Sequence, residues 1–161
     1  MSEITGPKQV VIITCRNKNK KIDNSITVAW HTQLSFKPFL YGIAIGKTRY
    51  SCGIIKASKC FCVNFISAKL KQLAIDIGTV SGRSINKDKI LAKHNVKKIE
   101  CKYIDCFRLD KAIAWLECEV IKQIDAGDHI LFIGKVVHMQ QSQASKAKRL
   151  MHITGDLFKE C

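Results

Sequence analysis

Two apolar segments in the second half of the chain have the pattern of a long β-hairpin. Residues 114–124 (AWLECEVIKQI) alternate, with Trp115 and Glu117 on one face and Leu116 and Cys118 on the other, which is typical of a half-buried antiparallel strand. A turn at residues 125–128 (DAGD) leads into residues 129–138 (HILFIGKVVH), which are apolar on both faces and predict a central strand. This hairpin favours an antiparallel β fold over an alternating βα fold.

Further β-branched and apolar runs precede the hairpin. Residues 9–15 (QVVIITC), 25–30 (SITVAW) and 40–46 (LYGIAIG) predict three strands of a β-meander. Residues 60–66 (CFCVNFI) predict a further strand, in which Cys60 and Cys62 share one face as small buried residues.

The remaining periodic segments predict short helices. Thr48 stands as the N-cap of a helix that ends near residue 57, and Ser67 caps a second helix that Gly78 ends. A weaker helix is expected over residues 86–94. The sequence therefore predicts a mainly β fold, a small closed barrel with a few appended short helices, and a single domain over residues 1–161.

The length and the cysteine pattern bound the class of protein. The chain has 161 residues, 47% of them hydrophobic, and contains neither an apolar run of about 18 residues nor a leader pattern in its first fifteen residues. We therefore expect a soluble cytoplasmic protein that does not contact a membrane. Eight cysteines without an export signal predict reduced thiols, and the absence of a Cys-x-x-Cys pair predicts no metal site.

The net charge of +14 raises the alternative of a basic nucleic-acid-binding module. Only five of the 27 basic residues are arginines, the residue best suited to bidentate phosphate and base recognition. The lysines are dispersed and are not interleaved with aromatic residues, as the binding face of a single-strand-binding protein would be. A solvated lysine-rich surface is the preferred interpretation.

A basic turn after the third predicted strand has the pattern of a phosphate site. The dinucleotide fingerprint and the P-loop are both missing, so a nucleotide must be held in another way. At Gly46-Lys47-Thr48-Arg49 a strand ends, two cations follow and a helix begins, so that backbone N–H groups, a helix N-terminus and positive charge coincide. The alternative is an ordinary basic turn.

Two other segments could contact a planar ring. Trp30, His31, Thr32 and Ser35 form an apolar and hydroxyl-rich patch, which suits a flavin ring. The alternative, which is the more common one for such residues taken alone, is that Trp30 is a core residue and His31 a surface residue. His129 follows Asp128 at the mouth of the central strand, where a carboxylate can orient an imidazole for proton transfer; most isolated histidines are structural.

Taken in order, these segments resemble the flavin reductase-like, FMN-binding split-barrel family, which includes flavoredoxin and archaeal ferric reductase. The matching stretches are VVIITC (10–15), SITVAW (25–30), GKTRY (46–50), FCVN (61–64), SGR (81–83), AWLEC (114–118), DAGDH (125–129) and LFIG (131–134).

The resemblance implies a homodimer of split barrels with FMN near the subunit interface. Residues 30–32 and Ser35 would then face the isoalloxazine ring and ribityl chain, and Ile45 and Gly46 would border the ring. The implied phosphate-binding residues are Lys47, Thr48 and Arg49, with Ser81, Gly82, Arg83 and Lys87 closing the site.

The same resemblance implies an oxidoreductase. His129 corresponds to the histidine near the flavin or the incoming nicotinamide and is the catalytic candidate. FMN would take electrons from NADH or NADPH and pass them to free flavin, ferric iron or a protein. The alternative within this fold is an FMN electron carrier that nicotinamides do not reduce.

Overall fold

The computed structural model describes residues 5–17, 19, 21–144, 146–154 and 157–161. The strands are β1 (Lys8–Gln9), β2 (Val11–Asn17), β3 (Ile22–Val28), β4 (His31–Ser35), β5 (Leu40–Gly46), β6 (Cys60–Phe65), β7 (Lys98–Glu100), β8 (Phe107–Leu109), β9 (Ala114–Ala126), β10 (His129–Gln141), β11 (Leu150–Thr154) and β12 (Leu157–Glu160). The helices are α1 (Tyr50–Ser58), a short 3₁₀ helix (Ala68–Leu70), α2 (Lys71–Thr79) and α3 (Lys87–Lys93).

Seven strands form the main sheet in the order β3-β2-β6-β9-β10-β5-β4. Its edge strands β3 and β4 are consecutive in the chain and are joined only by Ala29 and Trp30. Because two residues can bridge only a short distance, the two edges must meet and the sheet curls into a barrel. Trp30 therefore lies at the seam, where its carbonyl accepts a hydrogen bond from the N–H of Ala44 at 2.9 Å.

The long hairpin β9–β10 is confirmed, and β10 lies inside the sheet because it pairs with both β9 and β5. The predicted alternation along β9 is wrong for its first half, since residues 115–118 are all buried. Glu117 is one of them, and its carboxylate accepts hydrogen bonds from the N–H groups of Lys102 and Tyr103. The hairpin β7–β8 thus covers a face that the sequence pattern assigns to solvent.

The predicted meander of residues 9–15, 25–30 and 40–46 is also wrong. β2 and β3 form an antiparallel hairpin, but β5 pairs with β4 and β10. The polar strand β4, with the sequence HTQLS, lies between them in the chain and occupies the other edge of the sheet. A meander would need β5 to follow β3 directly in space, and β4 prevents this.

Two apolar clusters hold the sheet in place. Alternate residues of β2 point to opposite faces, so Val11 and Ile13 pack inside the barrel while Ile12 packs outside it. The inner cluster includes Ile45, Phe61 and Phe132, and α1 packs against it. The outer cluster joins the sheet to α2, α3 and the β7–β8 hairpin, and it contains both Cys60 and Cys62, so their predicted shared face is confirmed.

The helices lie close to the predicted positions but with different caps. Arg49, and not Thr48, is the N-cap residue of α1, and it makes no side-chain capping hydrogen bond. The segment after Ser67 begins as the 3₁₀ helix, and α2 continues past Gly78 to Thr79. Asn86 caps α3, accepting a hydrogen bond from the N–H of Asp88. In the described part of the chain, no helix has the length and apolarity needed to cross a bilayer.

Candidate functional site

The basic turn between β5 and α1 is fixed by backbone hydrogen bonds. The N–H of Arg49 donates to the carbonyl of Gly46 at 2.9 Å, and the N–H of Lys47 donates to the carbonyl of Asp128 at 2.9 Å. The second bond ties the turn to the tip of the β9–β10 hairpin. Arg49 is thereby held at the N-terminus of α1, where the helix dipole favours a negative charge.

A cavity of about 230 Å³, which we call the basic cavity, lies between β3, the start of α1 and the segment that joins α2 to α3. Six residues predicted from the sequence line it: Thr48, Arg49, Ser81, Gly82, Arg83 and Lys87. Three of these are cationic, and its lining contains no aspartate or glutamate. Cations that converge without a carboxylate repel one another unless an anion enters, so the cavity is suited to an anionic ligand.

Lys87 is the most deeply placed of these cations, with only 3% of its surface exposed. Its ammonium group donates hydrogen bonds to the carbonyls of Ile77 and Val80, near the C-terminus of α2. Burial, assisted by the positive charge of Arg49, lowers the pKa of Lys87 to about 8. An anion bound in the basic cavity would favour the protonated form of this lysine.

The loop of residues 81–83 closes the cavity by close packing. A Cβ atom on Gly82 would lie 2.1 Å from Oδ1 of Asn24, so only glycine fits this position without a shift. Arg83 donates from Nη1 to the carbonyl of Thr48 at 2.9 Å, and its guanidinium lies 5.4 Å from the centre of the Tyr50 ring. The loop therefore connects α1 with the segment before α3.

Sequence reasoning missed four polar residues of this cavity: Asn24, Ser25, Tyr50 and Ser51. Nδ2 of Asn24 donates to the hydroxyl of Ser51 at 2.8 Å. Oδ1 of Asn24 and the hydroxyl of Ser25 are buried and have no hydrogen-bond partner among the described residues. The run of three polar residues, Asp23, Asn24 and Ser25, next to the β-branched residues of the same strand was the signal that could have identified Asn24 and Ser25.

Lys47 does not line the basic cavity. Its ammonium group forms an ion pair with Asp125 on the β9–β10 hairpin, at 2.7 Å. This contact lowers the pKa of Asp125. The prediction that Lys47 binds phosphate remains a prediction, and it would require Lys47 to leave or share this carboxylate.

Trp30, His31 and Thr32 line a second cavity of about 800 Å³, which we call the aromatic groove. Its other walls include Phe39, Tyr41, Phe65, Leu116 and Met139. Both ring nitrogens of His31 are occupied, Nδ1 by the Tyr41 hydroxyl at 2.7 Å and Nε2 by the carbonyl of Gln9 at 2.9 Å. Burial lowers the pKa of His31, so this histidine is a neutral part of the wall.

His129 lines neither cavity, but it lies close to Trp30 of the aromatic groove and, across Gly46, to Arg49 of the basic cavity. It pairs with Gly46 across β10 and β5, and its ring centre lies 4.6 Å from that of Trp30. Nδ1 of His129 contacts a carboxylate oxygen of Asp128 at 2.6 Å, which lowers the pKa of Asp128. A Cβ atom on Gly46 would lie 3.4 Å from Cγ of Arg49 and 3.7 Å from Nε2 of His129. Arg49, Gly46, His129 and Trp30 are therefore contiguous.

Two residues that were predicted from the sequence, Ile45 and Ser35, line neither of these cavities. Ile45 is 1% exposed and its side chain packs inside the barrel, which leaves only its backbone to border a ligand. Ser35 is half-buried at the end of β4, paired with Leu40.

Comparisons with known proteins agree with this architecture. The model of the flavin reductase like domain family matches residues 4–159. An uncharacterized protein of Archaeoglobus fulgidus is 35% identical over 123 residues, which cover 76% of this chain and 68% of that protein. Further archaeal relatives, from Pyrococcus abyssi and Aeropyrum pernix, are matched over only 63% and 50% of their own lengths.

Solved structures share the fold at lower identity. An FMN-binding protein from Thermus thermophilus with bound p-hydroxybenzaldehyde has a TM-score of 0.88 and 23% identity, covering 98% of this chain and 88% of that chain. Flavoredoxin from Methanosarcina acetivorans has a TM-score of 0.85 and 17% identity, covering 96% and 85%. The NADH:FAD oxidoreductase SgcE6 from Streptomyces globisporus has a TM-score of 0.83 and 19% identity, covering 98% and 89%. Because the family model matches nearly the whole length of this chain, the chain belongs to the flavin reductase like domain family.

Proposed function

We propose that this protein is an FMN-binding oxidoreductase that passes electrons from NADH or NADPH to free flavin, ferric iron or a protein acceptor. The observation that carries the proposal is the basic cavity: Arg49, Arg83 and Lys87 converge on it, and no carboxylate lines it. Gly46 and His129 lie next to each other between Arg49 of the basic cavity and Trp30 of the aromatic groove, which supports one ligand with an anionic end and an aromatic end.

The residues present fit FMN at both ends. A phosphate dianion is matched by three cations and the N-terminus of α1, and an isoalloxazine ring by Trp30 and the apolar walls of the groove. FMN binding by the Thermus thermophilus protein of the same fold supports this assignment. When bound, the flavin would accept a hydride from a nicotinamide and release electrons to an acceptor.

The protein's own residues then have separate tasks. Arg49, Arg83 and Lys87 hold the phosphate, and Trp30 orients the ring. Asp128 accepts the Nδ1 proton of His129, which leaves Nε2 on the side of Gly46 as the atom that exchanges a hydrogen bond or proton with the ligand.

The aromatic groove also supports the proposal of a homodimer. Trp30 and Met139 are 54% and 61% exposed, and a neighbouring cavity of about 640 Å³ shares Phe65, Leu116 and Met139 with the groove. Exposed apolar side chains grouped in this way are typical of a protein interface. A second copy would cover it and close the ring end of the site.

The experiment starts from the absorbance spectrum of the purified protein and a titration of the flavin-free form with FMN. NADH or NADPH is then added without oxygen in a stopped-flow instrument, and we expect the flavin band to bleach with at least one of them. Bound FMN that neither nicotinamide bleaches would identify the electron carrier instead, and no flavin binding at all would overturn the proposal.

His129→Ala is expected to slow this bleaching roughly 100-fold, the scale of a general acid–base contribution; an unchanged rate would remove His129 from the mechanism.

A further inference from the structure

Four cysteines meet in the outer cluster, at the place where the β7–β8 hairpin packs on the main sheet. Cys60, Cys62 and Cys106 are buried in this cluster, and Cys101 packs against it. All four are free thiols. The sulfur of Cys106 lies 3.3 Å from the carbonyl oxygen of Thr14 on β2, which fixes it against the sheet. Folding therefore gathers thiols that are far apart in the chain.

Two of these cysteines, Cys101 and Cys106, lie opposite each other at the loop end of the hairpin. The register of β7 and β8 pairs Glu100 with Phe107, and the N–H of Cys101 donates to the carbonyl of Cys106 at 3.0 Å, which continues that register by one residue. Opposite residues of antiparallel strands have Cα atoms about 4.5–5.5 Å apart, and a disulfide needs about 4.4–6.8 Å. The backbone thus holds the two cysteines at the spacing of a disulfide.

The two thiols also interact with each other. The hydrogen bond with Cys106 lowers the pKa of the Cys101 thiol, but the contact with Cys62 and the burial of the group outweigh this effect and raise it. Burial, together with the contact to Cys101, raises the pKa of Cys106. Both thiols are therefore protonated at neutral pH, and no charge keeps the two sulfur atoms apart.

The exposure of the thiols differs in a way that sets an order of reaction. Cys101 is partly exposed, whereas Cys62 and Cys106 are fully buried. Of these three thiols, a dissolved oxidant can reach only Cys101. Thiol–disulfide exchange needs one accessible thiolate that attacks and a second thiol that resolves the mixed disulfide. Cys101 is placed for the attack, and Cys106 is placed to resolve it.

We propose that Cys101 and Cys106 form a reversible disulfide when the protein meets a low-molecular-weight disulfide as oxidant. The Cys101 thiolate attacks one sulfur of the oxidant, forms a mixed disulfide and releases a thiolate, which takes up the proton that Cys101 lost. Cys106 then attacks the sulfur of Cys101, forms the intramolecular bond and releases the second thiol together with its proton. Two protein thiols are oxidised, and one oxidant disulfide is reduced to two thiols. The inference does not depend on the proposed flavin site.

This bond would close the loop of residues 101–106 beside the buried carboxylate of Glu117. The N–H groups of Lys102 and Tyr103 lie in this loop and donate to that carboxylate at 3.0 Å and 2.7 Å. Opening of the loop leaves the carboxylate without these partners, and the disulfide restrains such opening. Closing a loop of about six residues should raise the Tm by about 5 °C.

The test treats the purified protein with oxidised glutathione, blocks the remaining thiols with an alkylating reagent and maps the tryptic peptides without reduction. Trypsin cleaves after Lys102, so Cys101 and Cys106 fall on separate peptides that only the disulfide joins. We expect this linked pair, two fewer thiols than the eight of the reduced chain, and the rise in Tm. The rate should increase about tenfold per pH unit between about pH 7 and 9, because the thiolate fraction does so below the raised pKa.

Three variants complete the test. Cys101→Ser removes the accessible thiol and should abolish both the linked peptides and the rise in Tm, and its partly exposed side chain makes it the variant that keeps the fold. Cys106→Ala should stop at the mixed disulfide, seen as glutathione on Cys101. Cys161→Ser, at an exposed cysteine, is the matched control and should behave as the wild type. Absence of the linked peptides from the oxidised wild type, or a bond of Cys101 to Cys62 in their place, would overturn the inference.

Discussion

Arg49 and Lys47 are two residues apart in the same turn, yet the structure gives them different surroundings. Arg49 lines the basic cavity, whereas Lys47 pairs with Asp125. Arg49→Ala is expected to weaken FMN binding roughly 10- to 100-fold, the usual effect of removing a charged hydrogen bond, with little change in the stability of the flavin-free protein because the side chain is exposed. Lys47→Ala is the control and should weaken FMN binding less. Flavin titration and thermal unfolding measure both; equal losses in the two variants would contradict the assignment.

Lys87 gives the site a dependence on pH. Its pKa of about 8 in the ligand-free protein results from burial and from Arg49. A bound phosphate stabilises the protonated lysine. FMN affinity is therefore highest below pH 8, where Lys87 is protonated in the flavin-free protein, and it falls as the pH rises through this value. Riboflavin lacks the phosphate, and its affinity should not fall with that of FMN, so the ratio of the two dissociation constants over pH 7–9 isolates the effect. A constant ratio would show that Lys87 does not face the phosphate.

The sequence pattern located the basic turn that borders the basic cavity, but it did not show which cation of that turn lines the cavity. That choice depends on Asp125, which is 78 residues away in the chain and reaches Lys47 only because the β9–β10 hairpin pairs with β5. Asn24 and Ser25 were not predicted as site residues for a related reason. Strand periodicity alone does not show that β3 is an edge strand beside a cavity.

Among the elements, β10 depends on a glycine for close packing inside the barrel. A Cβ atom on Gly134 would lie 2.8 Å from both Cζ of Phe61 and Cβ of Cys118. Gly134→Ala should therefore destabilise the protein by about 1–3 kcal/mol, the range for overpacked cores. Gly53→Ala in α1, where a Cβ atom meets nothing within 4 Å, should stabilise it by about 0.5–1 kcal/mol. Urea denaturation measures both, and a Gly134→Ala protein as stable as the wild type would show that the barrel yields locally.

Element identity could be predicted from local composition, and so could the pairing within the β9–β10 hairpin, whereas the partners of β5 could not. The β-branched runs located β2, β3, β5 and β6, because such residues favour strands wherever they pack. Strand β4, with its polar sequence, lacks this signal and is a strand only because β5 pairs with it. Its omission produced the incorrect meander.

At the scale of the whole molecule, closure of the barrel brings Trp30 beside Gly46 and His129. The seam between β3 and β4 carries Trp30, and β5 and β10 bring Gly46 and His129 beside it. The seam leaves Trp30 exposed at the edge of the aromatic groove. Barrel closure therefore leaves open the end of the candidate site that is proposed to hold the flavin ring.

A second copy of the chain is proposed to cover this opening. A substitution of Met139 tests the proposal, because this residue is exposed and lines both the aromatic groove and the neighbouring cavity of about 640 Å³. We expect the wild type to be a dimer in analytical ultracentrifugation and Met139→Asp to dissociate it, since a buried unpaired carboxylate strongly opposes association. The variant should fold, because Met139 is 61% exposed within one chain, and should bind FMN more weakly because the ring end stays open. Ile121→Asp provides the matched control and should remain dimeric. A monomeric wild type would overturn the proposed dimer, and a Met139→Asp dimer with normal FMN affinity would place the interface elsewhere.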